Sequence, residues 1–389
     1  MKKNTFVLSK RLQALPPYLF LELDKAKRKA RSEGRDIIDL GIGDPDEPTP
    51  DYIIRALYKA ALEPVNHRYA LDQGMLIFRQ AISKWYKSRF NVTLESDTEI
   101  LPLIGSKEGI AHFPLAFINP GDYSLVPDPS YPPYKGGTIF AEGKIHLMPL
   151  LEQNDFLIDL KAIPAGVLKK AKVIYINYPN NPTGAVCDIN FYKELVKFAR
   201  KNKIIVVCDL AYSEMSYDGF KPPSFFEVEG AKEVGIEFHS LSKTCNMTGW
   251  RIGWACGNKN LVAALAKVKS NIDSGIFSAL QVAAVAALEG SAVQTKRMSQ
   301  VYQERRDCLV DGLNSLGWKV KKPKATFYIW SKLPKKISSI DFSRELLAKA
   351  DIVATPGVGF GKYGEGYIRF ALTVPKERIK EAIKRLKKI

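Results

Sequence analysis

Residues that could carry chemistry are concentrated in one short segment, SLSKTCNMTGWRIG, from Ser240 to Gly253. It holds one lysine, Lys243, among hydroxyl-bearing residues, and one arginine, Arg251. A lysine in this setting is either a solvated surface cation or a nucleophile that forms a covalent imine with a carbonyl compound. An arginine near it is suited to binding an anion such as a phosphate group. The elements that position this segment decide between the two interpretations.

Two other segments place polar residues where predicted strands end. The apolar run KVIYINYP (172–179) leads to Asn181, and KIIVVCDLAY (203–212) contains Asp209 and then Tyr212. Ligands of open α/β sheets bind at the carboxyl ends of the strands. An aspartate inside such an apolar run is costly to bury without a cationic partner. These residues are therefore predicted to gather with Lys243 at one rim of a sheet.

This set of residues matches the needs of a pyridine aldehyde phosphate, pyridoxal 5'-phosphate (PLP). Lys243 would form a Schiff base with the aldehyde. Asp209 would keep the ring nitrogen protonated, which makes the ring an electron sink. Asn181 and Tyr212 would hydrogen-bond to the ring hydroxyl. Tyr131, in DPSYPPY, would stack on the ring face.

The phosphate group of this cofactor has its own candidate partners. The segment IGSKEG (104–109) predicts a helix that begins directly after a strand, with Ser106 and Lys107 at its first positions. The backbone N–H groups at a helix N-terminus bind phosphate. Ser106, Ser240 and Arg251 would supply further hydrogen-bond donors. Together they predict a phosphate site close to Lys243.

The pattern of apolar residues places these segments in an α/β fold. Strands are predicted at 36–43, 99–105, 123–129, 172–179, 203–212, 234–243 and 250–257. Helices are predicted at 18–34, 51–62, 74–90, 106–118, 131–140, 188–202, about 258–289 and 293–317. Continuous apolar strands separated by helices indicate a parallel or mixed sheet that is covered on both faces.

The pattern changes after residue 317. Segments 318–333, 352–360 and 366–373 predict strands at hairpin-like spacing in a smaller α+β unit, and a last helix begins near Pro375. We therefore expect a large domain over residues 46–289. Residues 1–45 and 290–389 are expected to form a small domain.

Composition and charge argue against several function classes. The net charge is 58 − 41 = +17, but the cations are spread along the chain and no zinc-finger, RRM or KH pattern accompanies them. A solvated basic surface is therefore favoured over nucleic-acid binding. The five cysteines form no CxxC pair, which predicts a reducing, cytoplasmic compartment. No run of 18 apolar residues occurs, so we expect neither a membrane span nor a signal peptide.

Two further site classes are disfavoured. The segment GFGKYG (359–364) matches the GxGxxG pattern, but it leads into the predicted strand YIRFAL and not into a helix. A dinucleotide site needs that helix, so none is expected here. The chain has four histidines and no HExxH pattern, so no metal site is expected.

Taken together, these motifs resemble the class I/II aminotransferases of the fold-type I PLP enzymes. The resemblance covers nearly the whole chain and rests on GDPDEPTP (43–50), RYALDQGMLIFRQAI (68–82), NPTG (181–184), DLAY (209–212), SLSKTCNMTGWRIG (240–253) and YIRFAL (367–372). It implies a mixed, mostly parallel seven-stranded sheet covered by helices, with a smaller α+β domain. It also implies ping-pong transfer of an amino group to 2-oxoglutarate, with Lys243 moving the substrate proton.

The resemblance implies roles for further residues. Tyr69 would reach the phosphate group from the other subunit, so a homodimer with shared active sites is expected. Arg369 would bind the substrate α-carboxylate as a bidentate pair. Gly43 would let that carboxylate approach the backbone. Asn181 and Tyr131 would contact the substrate as well as the cofactor.

The substrate is less sharply defined. Lys107, Tyr18 in PPYLFLELD and the segment SNIDSGIFSALQ (270–281) resemble the LL-diaminopimelate aminotransferase branch, in which Tyr18 and Lys107 would line the substrate pocket. Branches that use aspartate, alanine or aromatic amino acids share all the PLP motifs and remain alternatives. A PLP-dependent β C–S lyase is a further alternative. A DNA-binding regulator of this fold is disfavoured, because such regulators add an N-terminal helix-turn-helix domain and here the resemblance begins within the first 20 residues.

Overall fold

The computed structural model describes residues 6–16, 19–70 and 73–389. Its α-helices are α1 (Lys10–Gln13), α2 (Leu19–Ser32), α3 (Asp51–Ala61), α4 (Leu76–Phe90), α5 (Ser106–Phe117), α6 (Pro133–Phe140), α7 (Ala165–Leu168), α8 (Ile189–Asn202), α9 (Ala231–Val234), α10 (Leu241–Thr244), α11 (Lys259–Lys269), α12 (Ser278–Glu289), α13 (Ser291–Ser315), α14 (Ser339–Ala350) and α15 (Lys376–Leu386). Its strands are β1 (Ile38–Asp39), β2 (Ile100–Leu103), β3 (Tyr123–Asp128), β4 (Lys144–Pro149), β5 (Ala171–Ile176), β6 (Ile205–Asp209), β7 (Gly235–Ser240), β8 (Gly253–Gly257), β9 (Tyr328–Lys332), β10 (Ile352–Val353), β11 (Thr355–Pro356) and β12 (Tyr367–Ala371).

A seven-stranded sheet carries most of the predicted site segments. Its strand order is β2-β8-β7-β6-β5-β3-β4, and β8 runs antiparallel to both of its neighbours while the other pairs are parallel. Every residue of β7 is buried, because helices cover both faces of the sheet. The predicted mixed, mostly parallel sheet is therefore confirmed.

The central strands of this sheet bring the polar residues together. Strands β5, β6 and β7 are parallel neighbours and end at Ile176, Asp209 and Ser240. Because the carboxyl ends of parallel neighbours lie at one edge of the sheet, the segments that follow them share that edge. The short helix α10, which carries Lys243, starts directly after β7.

The C-terminal part forms two small sheets, and their pairing differs from the prediction. Strand β12 is antiparallel to both β11 and β9, and β1 pairs in parallel with β10. The predicted strand 318–333 is regular only from Tyr328, and 352–360 splits into β10, β11 and a 3-10 turn. The hairpin-like spacing holds for β11 and β12, which are consecutive and antiparallel, but not for β9, which α14 and its flanking segments separate from β12. The domain boundaries at residues 46 and 290 remain a prediction.

The helix predicted over 258–289 is also wrong, because the chain breaks into α11 and α12. The apolar period continues through the break, so periodicity did not reveal it. Lys269 at the end of α11 donates to both carboxylate oxygens of Asp273, at 2.6 and 2.7 Å. The Asp273 carboxylate also accepts from the backbone N–H of Gly275, whose φ of +91° favours glycine. These bonds hold a turn where a helix was expected.

One strand was missed altogether. Strand β4 lies at the edge of the seven-stranded sheet, where most of its residues stay partly exposed. An edge strand lacks the continuous apolar run that marks a central strand, so KIHLMP gave no clear signal. Among the described residues, no helix is both long and apolar enough to cross a membrane.

Candidate active site

The segments after β5, β6 and β7 line a cavity of about 280 Å³, together with the start of α5 and residues near β9 and β12. Most of the residues predicted for the site line it, namely Gly43, Ser106, Lys107, Tyr131, Asn181, Asp209, Tyr212, Ser240, Lys243, Arg251 and Arg369. A larger groove of about 920 Å³ lies between α4 and the start of α13, but none of the predicted site residues lines it. The chemistry therefore belongs to the smaller cavity.

Lys243 is a half-buried residue whose amine forms no hydrogen bond or ion pair with a carboxylate among the described residues. Its Nζ donates to the backbone oxygen of Gly43 at 2.6 Å and lies 5.4 Å from the centre of the Phe327 ring. Burial lowers the pKa of Lys243 to about 8, against the opposing effect of the Asp44 charge, and the cations Arg369 and Arg251 lower it further. A solvated surface lysine is thereby excluded, and the amine is partly neutral at physiological pH.

This pKa makes capture of PLP by the apo-protein pH-dependent. Only the neutral amine attacks an aldehyde, so the rate constant for capture is expected to rise with pH through a midpoint of about 8. Below the midpoint it should fall about tenfold per pH unit. Stopped-flow absorbance at several pH values measures this rate constant.

Asp44→Asn provides the matched control for this pH profile. Asp44 is exposed and raises the pKa of Lys243 through its charge. Removing that charge should move the midpoint to lower pH without changing the plateau rate. A midpoint near the ordinary lysine value of about 10.4 would contradict a lowered pKa at the amine that captures PLP, and no response to Asp44→Asn would contradict the effect of the Asp44 charge on it.

Asp209 sits deep in the cavity wall, and burial raises its pKa to about 6. Its Oδ2 accepts a 2.7 Å hydrogen bond from the Tyr134 hydroxyl, and Oδ1 accepts a long one, 3.4 Å, from the backbone N–H of Ala211. The side-chain amide of Asn177 donates to its backbone oxygen at 2.7 Å. A buried carboxylate with so few partners is suited to a ligand that brings a positive charge.

Arg251 and the start of α5 form an anion-binding corner of the cavity. The guanidinium of Arg251 packs against Gly105, where any side chain would collide with it, and Nη1 donates to the backbone oxygen of Thr248 at 2.9 Å. Helix α5 begins at Ser106 without a side-chain cap on its first N–H groups. Ser240 and Ser242 line the same corner. Arg251 has no carboxylate partner among the described residues, and it lies beside the uncapped start of α5. Together the two are suited to binding a phosphate group.

Arg369 is a second buried cation of the cavity, and its charge is not neutralised by any described carboxylate. Its guanidinium lies between the rings of Tyr328 and Phe360, 4.1 and 4.6 Å from their centres. Nη1 donates to Asn181 Oδ1 at 2.9 Å and Nη2 to the backbone oxygen of Gly41 at 2.7 Å, while Nε has no hydrogen-bond partner. Burying such a charge without an anion is costly, so the site is built for an anionic ligand.

One predicted site residue lies away from this cavity, and a second lies outside the described residues. Tyr69 is 89% exposed and lies in a separate groove with residues 274–277. Tyr18 lies outside the described residues, so its predicted role remains untested. Gly43 is in the cavity, and the hydroxyl of Tyr328 occupies the space that a side chain there would need.

Sequence reasoning missed three residues that shape the site. Asn177 follows β5 directly. The rule that ligands bind at the carboxyl ends of parallel strands could therefore have identified it. Tyr328 lines the cavity and lies 3.1 Å, oxygen to oxygen, from the Tyr212 hydroxyl. Tyr134 holds Asp209 from helix α6. The last two come from other elements across the fold and carry no local signal.

The residues present fit PLP. The cavity offers an amine of lowered pKa for the aldehyde, a buried carboxylate for the ring nitrogen and an uncapped helix start with Arg251 for the phosphate. The aromatic ring of Tyr131 lies at the same cavity and can cover a ring face. A lysine and an aspartate in these positions are the protein groups that PLP chemistry requires.

Comparison with known proteins agrees with this chemistry. The family model described as aminotransferase class I and II matches residues 35–386. The chain is 54% identical over 381 residues to the LL-diaminopimelate aminotransferase of Moorella thermoacetica, with 98% of each chain covered. It is 53% identical to the protein of that name from Aquifex aeolicus, with 99% of each covered. A substrate-bound structure of BacF from Bacillus subtilis superposes with a TM-score of 0.96 at 39% identity, covering 99% of this chain and 98% of BacF.

The fold and the cavity define a fold-type I enzyme that uses PLP as its cofactor. Within that class, the chain belongs to the class I and II aminotransferase family, because the family model spans nearly its whole length. The predicted fold class, cofactor and transaminase activity are therefore confirmed.

Proposed function

We propose that the chain transfers the amino group of LL-diaminopimelate to 2-oxoglutarate by a ping-pong mechanism. Arg369 is the main support for an amino-acid substrate. It is a buried guanidinium with an unused Nε–H, and it lines the same cavity as Lys243. An α-carboxylate held there would place the α-carbon toward the amine. Relatives that share 51–54% of their residues with this chain carry the name LL-diaminopimelate aminotransferase, which supports this donor.

In this proposal the residues of the cavity bind the cofactor, and Lys243 also transfers the substrate proton. When bound, PLP supplies an electron sink that stabilises negative charge at the α-carbon. The Lys243 amine, neutral in part because of its burial, would remove the α-proton and return it at the cofactor side. Asp209 would bind the ring nitrogen, and Asn181 and Tyr212 would bind the ring hydroxyl. Ser106, Ser240 and Arg251 would hold the phosphate.

A lysine at the cavity favours a polar donor over an aromatic one. Lys107 lies exposed at the first turn of α5 and lines the cavity with Tyr131. An ammonium group there attracts a second carboxylate, which diaminopimelate has and alanine and phenylalanine lack. Aspartate also has one, so this feature alone does not separate the two donors.

A panel of amino donors with 2-oxoglutarate tests the substrate. LL-diaminopimelate is expected to give the highest kcat/KM among LL- and meso-diaminopimelate, aspartate, alanine and phenylalanine. Higher activity on aspartate or alanine would replace the proposed donor and leave the aminotransferase standing. Pyruvate and ammonia released from cystathionine without any oxo acid would instead indicate a β C–S lyase.

We also propose a homodimer, in which Tyr69 reaches the cofactor phosphate of the other subunit. Six large apolar side chains exposed within residues 58–77 support this assembly, namely Tyr58, Leu62, Val65, Tyr69, Leu76 and Ile77. Exposed apolar surface of this kind is typical of an interface when the groups are contiguous. Sedimentation should give twice the chain mass of 43.5 kDa, and a monomer at micromolar concentration would contradict the proposal. The cytoplasmic location remains a prediction, supported by five cysteines that are all unpaired.

A further inference from the structure

The hydroxyl of Tyr134 makes the shortest hydrogen bond to the buried carboxylate of Asp209. The O–O distance to Asp209 Oδ2 is 2.7 Å, whereas the Ala211 N–H lies 3.4 Å from Oδ1. One carboxylate oxygen is thus firmly bound, and the other has only a long contact. The cavity borders Asp209, so the weakly bound oxygen has capacity left for a donor on a ligand.

Packing fixes the Tyr134 ring rigidly. The ring is fully buried and stacks on Tyr175 of β5, with centres 4.9 Å apart and planes at 14°. It also meets the edge of Tyr131 at 5.9 Å and 84°. Tyr131 lines the cavity. Tyr134 therefore contacts both Tyr131, which would cover the ring face of the cofactor, and Asp209, which would bind its ring nitrogen.

We propose that Tyr134 is a positioning residue for the cofactor: its hydroxyl binds one oxygen of Asp209 and directs the other toward the ring nitrogen. This role rests on the proposed function, in which Asp209 binds that nitrogen. A carboxylate free to rotate, or one that takes up a proton, would bind a protonated ring nitrogen less well. Tyr134 opposes both, because its O–H donates to the ionised form of the carboxylate and lowers the pKa of Asp209.

The groups around Asp209 leave it as the titrating group below neutral pH. Its titratable neighbours are Cys208 on the same strand, Tyr134 on α6 and Tyr212 in the following segment. Burial raises the pKa of each of the three well above its ordinary value, so all three stay neutral. The cations that line the same cavity are Lys243 on α10, with a pKa of about 8, and the guanidinium groups of Arg251 and Arg369.

Binding of pyridoxamine 5'-phosphate to the full-length apo-protein tests this role. This compound has the ring and phosphate of the cofactor but an amine in place of the aldehyde, so it forms no bond with Lys243. Calorimetric titration between about pH 5 and about pH 7 gives its Kd in the window where the Asp209 carboxyl titrates. The variants are Tyr134→Phe and the matched control Tyr175→Phe, which removes a buried hydroxyl from the stacked ring without touching Asp209.

Tyr134→Phe is expected to weaken binding about tenfold near pH 6, because the lost hydrogen bond is to a charged group. The Tyr134 hydrogen bond stabilises the ionised carboxylate more than the protonated carboxyl, so its loss raises the pKa of Asp209. The pH below which affinity declines should therefore rise by about one unit. Tyr175→Phe should bind within about twofold of the wild type. An unchanged Tyr134→Phe, or the same shift in Tyr175→Phe, would overturn the proposal. Failure of the wild type to bind would overturn the proposed function, and the Tyr134 role with it.

A double variant separates positioning from packing. With Asp209→Asn in place the carboxylate is gone, so adding Tyr134→Phe should change the Kd by less than about twofold. Tyr134→Phe alone could fail to fold because the buried Asp209 carboxylate has lost its hydrogen-bond donor. The double variant, which has no carboxylate at position 209, should then fold. A double variant that also fails, or that repeats the tenfold loss, would assign Tyr134 a packing role and contradict the proposal.

Discussion

Replacing Lys243 with alanine is expected to lower kcat for amino transfer by about 10³-fold or more, because one residue both bonds the cofactor and moves the proton. The visible absorbance of the cofactor-bound protein should also be lost. The structure explains the size of this effect, since the amine is buried and bonded to a backbone oxygen, not to a carboxylate. Within the described residues that line the cavity, Lys107 is the other lysine, and it is exposed in the first turn of α5.

Two control variants separate the amine from its charge. Lys243→Arg keeps a cation but offers no neutral amine, so it should be as inactive as Lys243→Ala. Lys87→Ala removes an exposed lysine from α4 and should leave kcat within about twofold. Activity above about a tenth of the wild type in either Lys243 variant would be incompatible with the proton-transfer role.

Replacing Arg369 is the second change with a large expected effect. Arg369→Lys keeps the charge but loses the fork that binds a carboxylate in two places, so kcat/KM for the amino donor should fall about 10²- to 10³-fold. The affinity for PLP should change by less than about threefold, because the structure places Arg369 with Asn181 and Gly41 and not beside the phosphate corner. Steady-state kinetics and cofactor titration measure the two effects separately.

The matched control for Arg369 is an arginine of the same chain that is not at the cavity. Arg297 forms an exposed ion pair with Glu47, with 57% of its own side chain exposed. Exposed pairs of this kind contribute little, so Arg297→Lys should leave kcat/KM and KM within about twofold. Equal losses in both variants, or an Arg369→Lys enzyme that loses PLP but keeps KM, would argue against a carboxylate site at Arg369.

The sequence predicted the edge of the sheet that carries the site because two physical rules apply there together. Continuous apolar runs mark central strands, and polar residues at the ends of parallel strands must meet. Asp209 and Ser240 each end a central strand with a continuous apolar run, and Lys243 follows Ser240 within one turn of helix. The structure accordingly places all of them at one cavity.

The residues that the sequence did not reveal reach the site through tertiary packing. Tyr134 and Tyr328 are buried aromatic residues on a helix and on a strand of another sheet, and nothing local distinguishes them from core residues. At the break between α11 and α12, Lys269 bonds the nearby Asp273 and also Glu108 of α5, which lies far from it in the sequence. The role of Tyr69 at the cofactor phosphate was predicted only from the family resemblance. In the single chain this residue is exposed on the surface.

The central claim is that Lys243 is the residue that PLP bonds. Reduction of the cofactor-bound protein with borohydride, followed by proteolysis and mass spectrometry, fixes the cofactor to whichever lysine holds it. We expect one phosphopyridoxyl group per chain, on the peptide that contains Lys243, and none after Lys243→Ala. A label on another lysine at comparable yield, or no label on a protein that transfers amino groups, would contradict the account.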